Sequence, residues 1–175
     1  EDLRAAVYPA DDHFPRTAAL LIENTHNRSG GRVFPFERLR QVTDLARELG
    51  LRCHMDGARL MNAVVASGTP AADYAAPFDS LWVDFSKGLG APVGAVLAGS
   101  RDFVHEAWRV KQQIGGAMRQ AGIIAAACLY ALDHHVERLA DDEELHVVAE
   151  PFAAAFGGAD EFEIHGRFQL GVHLD

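Results

Sequence analysis

The chain has 175 residues, with 16 Lys+Arg against 25 Asp+Glu for a formal charge of −9, which suits one medium domain or a piece of a larger protein. Apolar residues at 49% and charged residues at 23% supply enough apolar surface for a core and exclude wholesale disorder. An acidic balance with pI near 5.4 removes the clustered Lys and Arg on which phosphate-backbone binding rests, so a nucleic-acid partner is set aside. No run approaches about 18 consecutive apolar residues, so no membrane span is expected.

Cys53 and Cys128 lie far apart in apolar-periodic segments. That suits buried thiols in a reducing compartment, and the cytoplasm is the expected location. The opening Glu1-Asp2-Leu3-Arg4 lacks the pattern of a signal peptide. Without an initiator Met, and with an end at Asp175 inside a strand-like pattern, the sequence reads as either an excerpt of a longer protein or a truncated relative of one.

Thr17 to Ile22 is almost wholly apolar and reads as a strand buried on both faces, hence parallel. It runs into the polar cluster Glu23-Asn24-Thr25-His26-Asn27 and the loop Arg28-Ser29-Gly30-Gly31. Pro35 marks a helix start, Leu39, Val42, Ala46 and Leu49 keep helical spacing, and Gly50 is the stop. Leu51 to Met55 gives a second strand leading to Asp56, Leu60 to Ala66 a short helix, and Ser80 to Phe85 a third strand leading to Ser86-Lys87. Strand, helix, strand, helix, strand specifies a parallel α/β sheet whose ligands gather at the strands' carboxyl ends.

Pro92 to Ala98 reads as a further strand, followed by a helix from Arg101 to Gln113 that buries Phe103, Ala107 and Trp108 and breaks at Gly115-Gly116. A long helix is expected from Met118 to Leu139, with Ala121, Ile124, Ala125, Cys128, Leu132 and Val136 on one face. Composition changes beyond Asp141, and Phe162 to Leu174 alternates with a period of two, as an antiparallel strand does. The domain boundary is therefore placed near residue 140: residues 1–140 form a large domain, and 141–175 begin a small C-terminal α+β domain.

Ser86-Lys87-Gly88-Leu89-Gly90 taken alone is a Gly-rich turn, and it fits neither the dinucleotide fingerprint nor the full phosphate-binding loop. Asp56 changes its weight, because it closes a neighbouring strand and shares a sheet edge with Lys87. An acid and an amine there form either a salt bridge or the pair that pyridoxal phosphate requires. In the second case the amine condenses with the cofactor aldehyde and the carboxylate keeps a proton on the pyridine nitrogen. Arg59 lies within a helical turn of Asp56, and its planar guanidinium suits a substrate carboxylate. Isolated His13, His26 and His54 read as satisfied polar groups, and Cys53-His54-x-Asp56 lacks metal-ligand spacing, so no metal is assigned.

Five blocks in order resemble the low-specificity L-threonine aldolases: His13-Phe14-x-Arg16-Thr17, Glu23-Asn24-Thr25-His26-Asn27, His54-x-Asp56-Gly57-Ala58-Arg59, Ser86 to Gly94, and Gly115 to Gly122. The resemblance spans residues 13–139 and implies an aspartate-aminotransferase-like, fold type I large domain. That domain is a mostly parallel sheet with helices on both faces. It further implies pyridoxal 5′-phosphate as cofactor, an amino-acid substrate, a homo-oligomer (dimer or tetramer), and cleavage of L-threonine or L-allo-threonine to glycine and acetaldehyde. Lys87 then corresponds to the lysine that holds the cofactor, Asp56 to the partner of the pyridine nitrogen, and Arg59 to a contact for substrate carboxylate or cofactor oxygen. His13 corresponds to the histidine near the substrate hydroxyl, and Arg119 to a basic residue near the cofactor phosphate.

Three departures accompany the resemblance. Gln112, beside Lys111, stands where the family often has Lys. The family's Gly-Thr phosphate turn and its ring-stacking histidine fall before Glu1. Its C-terminal arginine is not located after residue 140. Residues 1–175 alone are therefore expected to bind the cofactor weakly. Rival readings are β-elimination on the same cofactor and a non-catalytic fragment of this fold.

Overall fold

The computed structural model describes residues 2–141. The alternating segment Phe162 to Leu174, and the small domain it was assigned to, lie outside the described residues.

A short helix, α1 (Asp2–Ala6), precedes strand β1 (Ala19–Glu23). Helix α2 (Phe36–Glu48) leads to β2 (Arg52–Gly57), and α3 (Leu60–Ser67) and α4 (Ala71–Ala75) lead to β3 (Ser80–Asp84). Strand β4 (Ala95–Gly99) and helices α5 (Arg101–Gln113) and α6 (Gly122–His134) follow, with a 3-10 turn at Glu137–Asp141. The sheet order is β1-β2-β3-β4. The first two pairings are parallel, as the strand–helix alternation predicts, and β4 returns antiparallel to β3.

The pleat divides the side chains between two faces. Leu20, Ile22 and Cys53 pack with Ala46 of α2 and Leu3 of α1. Met55 packs with Leu39, Leu60, Ala63 and Tyr74, with Leu81 and Val83 of β3 against them. Burying one such side chain contributes about 1.5–3 kcal/mol. A third cluster joins Phe85, Leu89 and Ala91 to Cys128, Ala131 and Leu139. Both cysteines are free and buried, as the apolar spacing predicts.

The structure corrects three expectations. β1 is not buried on both faces: Leu21 is 62% exposed, because it points to the side away from α2. α5 does not bury its apolar side chains within residues 2–141, since Phe103 is 38% and Trp108 57% exposed and Ala107 is half-buried. The long helix from Met118 to Leu139 is shorter. Met118 to Ala121 stay outside it, α6 ends at His134, and Leu139 is buried from the following 3-10 turn. Ile124, Cys128, Leu132 and Val136 do pack together, whereas Ala121 and Ala125 are exposed.

Among the described residues no helix is long and apolar enough to cross a membrane.

Candidate active site

The face of β2 opposite Met55 carries His54 and Asp56. Register places Glu23, Asp56, Trp82 and Leu97 in one row across the four strands. The first three lie at or near the carboxyl ends of parallel strands, where such sheets collect ligands.

Asp56 is half-buried, and its Oδ1 accepts the Ala58 N–H at 3.1 Å. Burial pushes its carboxyl above the ordinary value. The Ala58 bond opposes that rise, nearby Glu23 adds to it, and Lys87 and His54 act against it. Burial is therefore the main cost of the Asp56 charge. His54 is held by its Nδ1 to Ser80 Oγ at 2.8 Å, and burial lowers its pKa against the pull of Asp56.

Lys87 sits in the loop between β3 and β4. Phe85 and Leu89, only 4% and 3% exposed, anchor the chain on either side of it. Gly90 closes a turn by donating its N–H to Lys87 O at 2.8 Å, and its φ of 69° is one that L side chains rarely adopt. Nζ of Lys87 lies 3.2 Å from Asp84 Oδ2 and 5.4 Å from the Trp82 ring centroid. The salt bridge considered between Lys87 and Asp56 is therefore made to Asp84 instead, while Asp56 feels Lys87 through its charge.

Asp56 and Lys87 thus lie toward the same side of the sheet, with the Lys87 ion pair made to Asp84. Arg59 caps the start of α3 three residues from Asp56, its carbonyl accepting the N–H groups of Asn62 and Ala63, and its side chain is half-buried. His13 is 90% exposed and bonded to Asp11 at 2.8 Å, and Arg119 is exposed on the turn before α6. Among the described residues no hydrogen bond or ion pair ties either to Asp56 or Lys87.

Sequence reasoning passed over Asp84 and Trp82, and it named Glu23 only as part of a polar cluster, with no role beside Asp56. The available signal was spacing: Asp84 precedes Lys87 by three residues, and Trp82 precedes Asp84 by two and shares its face. It also read Asn24 and Thr25 only as members of that polar cluster, whereas both are buried at the end of β1. There Asn24 donates its N–H to Asp56 O at 2.9 Å and accepts the Phe34 N–H at 3.0 Å, while Asn24 Nδ2 and Thr25 Oγ1 are buried without a partner among the described residues.

Comparison with known proteins shows the family of the chain. The low-specificity L-threonine aldolase of Escherichia coli K12 is 46% identical over 138 residues, covering 79% of this chain and 40% of its own length. A probable low-specificity L-threonine aldolase of Arabidopsis thaliana is 43% identical over 141 residues, covering 80% of this chain and 40% of its own length. The crystal structure of a putative L-allo-threonine aldolase from Listeria monocytogenes superposes with TM-score 0.68 at 33% identity, over 78% of this chain and 38% of that one. The chain thus spans about 40% of the length of these relatives. The beta-eliminating lyase family model matches residues 1–165, and the chain belongs to that family.

Proposed function

We propose that the protein is a pyridoxal 5′-phosphate-dependent aldolase that cleaves L-threonine or L-allo-threonine to glycine and acetaldehyde. The observation that carries this reading is the half-buried Asp56, whose charge burial disfavours, in register with Trp82, whose ring lies 5.4 Å from the Lys87 amine. A protonated pyridine nitrogen supplies a compensating charge, and an aldehyde is a partner for the amine, so the donor set fits the cofactor.

When bound, the cofactor supplies an aldehyde carbon for Lys87 and an electron-withdrawing ring for the substrate's α-carbon. Lys87 would hold it through its side-chain amine. Asp56 holds a proton on the ring nitrogen, and its ionisation is favoured by that cation as it is disfavoured by burial now. Arg59 receives a carboxylate or cofactor oxygen, and Arg119 the phosphate. His13, directly or through water, takes the β-hydroxyl proton as the Cα–Cβ bond breaks, and a proton delivered to Cα completes glycine.

The E. coli and Arabidopsis relatives, both named as aldolases, favour this reaction over β-elimination. The same reading includes residues 1–140 as the cofactor domain and 141–175 as the start of a smaller one. It also includes a cytoplasmic homo-oligomer, which the exposed Trp108, Ile114, Ile123 and Leu129 support as surfaces awaiting cover.

Lys87 and Lys111 are the chain's two lysines, which makes the test clean. Borohydride reduction with excess cofactor followed by peptide mapping is expected to label Lys87. Lys87→Ala is expected to lose the label and keep its circular dichroism, and glycine release from both threonine epimers is measured alongside. Label confined to Lys111 would overturn the site. Labelled Lys87 with no glycine released would overturn the reaction.

A further inference from the structure

We propose that Asp84 is a positioning residue that docks the amino group of Lys87 and keeps it off Asp56. This rests on the reading of Lys87 as the cofactor lysine and Asp56 as the ring partner.

The two members of the pair are unequally held. Asp84 Oδ1 accepts both the N–H and the O–H of Ser86, at 2.8 and 2.6 Å. Oδ2 is left for Nζ of Lys87 at 3.2 Å. The side chain of Asp84 is 11% exposed and that of Lys87 38%. The acid is therefore the more firmly held member and the amine the more exposed one. Burial works against the charged form of Asp84, but the Ser86 bonds and Lys87 outweigh it and hold the carboxyl below its ordinary value. Trp82, two residues before Asp84 and on the same side of the pleat, adds its ring face beneath the amine.

The consequence concerns Asp56. Three groups near it carry or take up charge: Glu23 on β1, His54 on its own strand, and Lys87 from the loop after β3. Of these, Lys87 does most to favour the Asp56 charge. A lysine amine that favours the Asp56 charge would be drawn toward it if no other anion held it, and would then occupy the space proposed for the ring nitrogen. Asp84 is that anion. Its Ser86 clamp prevents it from following the amine, so Lys87 has a fixed place to leave from and return to.

The test follows the Asp56 carboxyl by carbon-13 NMR titration in the cofactor-free chain, with and without Asp84→Asn, in wild-type and Lys87→Met backgrounds. The amide keeps the Ser86 acceptor and loses the charge. With Lys87 present, Asp84→Asn is expected to move the Asp56 midpoint clearly downward as the lysine swings across. With Lys87→Met, only the smaller shift from removing one negative charge is expected. Asp84→Glu, which retains the charge on a longer arm, should give an intermediate shift and serves if the amide variant folds poorly. Equal shifts in the two backgrounds would overturn the docking role. That failure is distinct from failure of the cofactor reading, which is registered by borohydride label missing from Lys87 in the wild type.

Discussion

Gly57→Ala tests whether the spacing of β2 and β3 sets the site. Gly57 closes β2 directly after Asp56, opposite Val83 of β3. A Cβ there would lie 2.6 Å from the Trp82 carbonyl oxygen and 3.3 Å from Leu60 Cβ. The first of these is backbone and cannot rotate away, so the strands must part by several tenths of an ångström. Overpacking of this kind costs about 1–3 kcal/mol, which for a domain of this size lowers Tm by roughly 3–10 °C. The strain falls between Asp56 and Trp82, whose ring lies under the Lys87 amine. Cofactor uptake is therefore expected to drop about tenfold or more, since small misplacements at a reacting centre are expensive. Thermal melts by circular dichroism read the first effect, and absorbance titration with pyridoxal phosphate reads the second. Gly122→Ala, at the start of α6 with nothing within 4 Å of the added carbon, is the control and should be neutral or slightly stabilising. If Gly57→Ala matches Gly122→Ala in both assays, strand spacing does not control the site.

Two further substitutions separate chemistry from stability. Asp56→Asn should still take up cofactor but lose most threonine cleavage, about a hundredfold or more, because a neutral amide does not keep the ring nitrogen protonated. Since burial raises the Asp56 pKa in the folded state, the native form binds the extra proton, and wild-type stability falls as pH climbs through and above the ordinary carboxylate range. Asp56→Asn should thus gain stability over wild type at pH 7 and show little gain at pH 4. An equal difference at both would contradict the burial argument. Asp79 behaves oppositely: its Oδ2 accepts the Cys53 N–H at 2.8 Å and its Oδ1 binds Arg52 at 3.1 Å. The Cys53 bond leads the causes that hold its carboxyl below the ordinary value. Asp79→Ala should cost about 1 kcal/mol at neutral pH. That difference should disappear as pH falls through the depressed native pKa. Urea midpoints that differ equally at pH 7 and pH 2.5 would refute the assignment.

The parallel core was legible because its signals are local. Leu39 and Ala46 repeat at helical spacing and both pack inward, and the strands between helices carry runs of apolar residues. What failed depended on groups far away in sequence. Whether Leu21, Phe103 and Trp108 are covered is decided by what packs on the second side of β1 and on α5, and no periodicity states that. The end of α6 likewise follows from Leu139 finding a place beside Phe85 and Leu89 through a 3-10 turn. Asp56 and Lys87 were legible as two strand ends. Asp84 was not, because a carboxylate three residues before a lysine in a turn resembles any surface ion pair until its burial and its Ser86 clamp are known.

The alternation of β2 explains why the site must stand where it does. Cys53 and Met55 are completely buried on the helix side, which fixes the strand's phase, since a slip of one residue would drive His54 and Asp56 into the apolar clusters and expose Met55. Expelling two polar side chains into that core would cost several kcal/mol, so the packing of Met55 against Leu39 and Tyr74 holds Asp56 on the opposite face. The same phase carries across the register to Trp82, and two residues further to Asp84 and its lysine. Core packing on one side of the sheet therefore determines the position of the charges on the other, and the carboxylate partner proposed for the cofactor is held by hydrophobic contacts that it does not itself make.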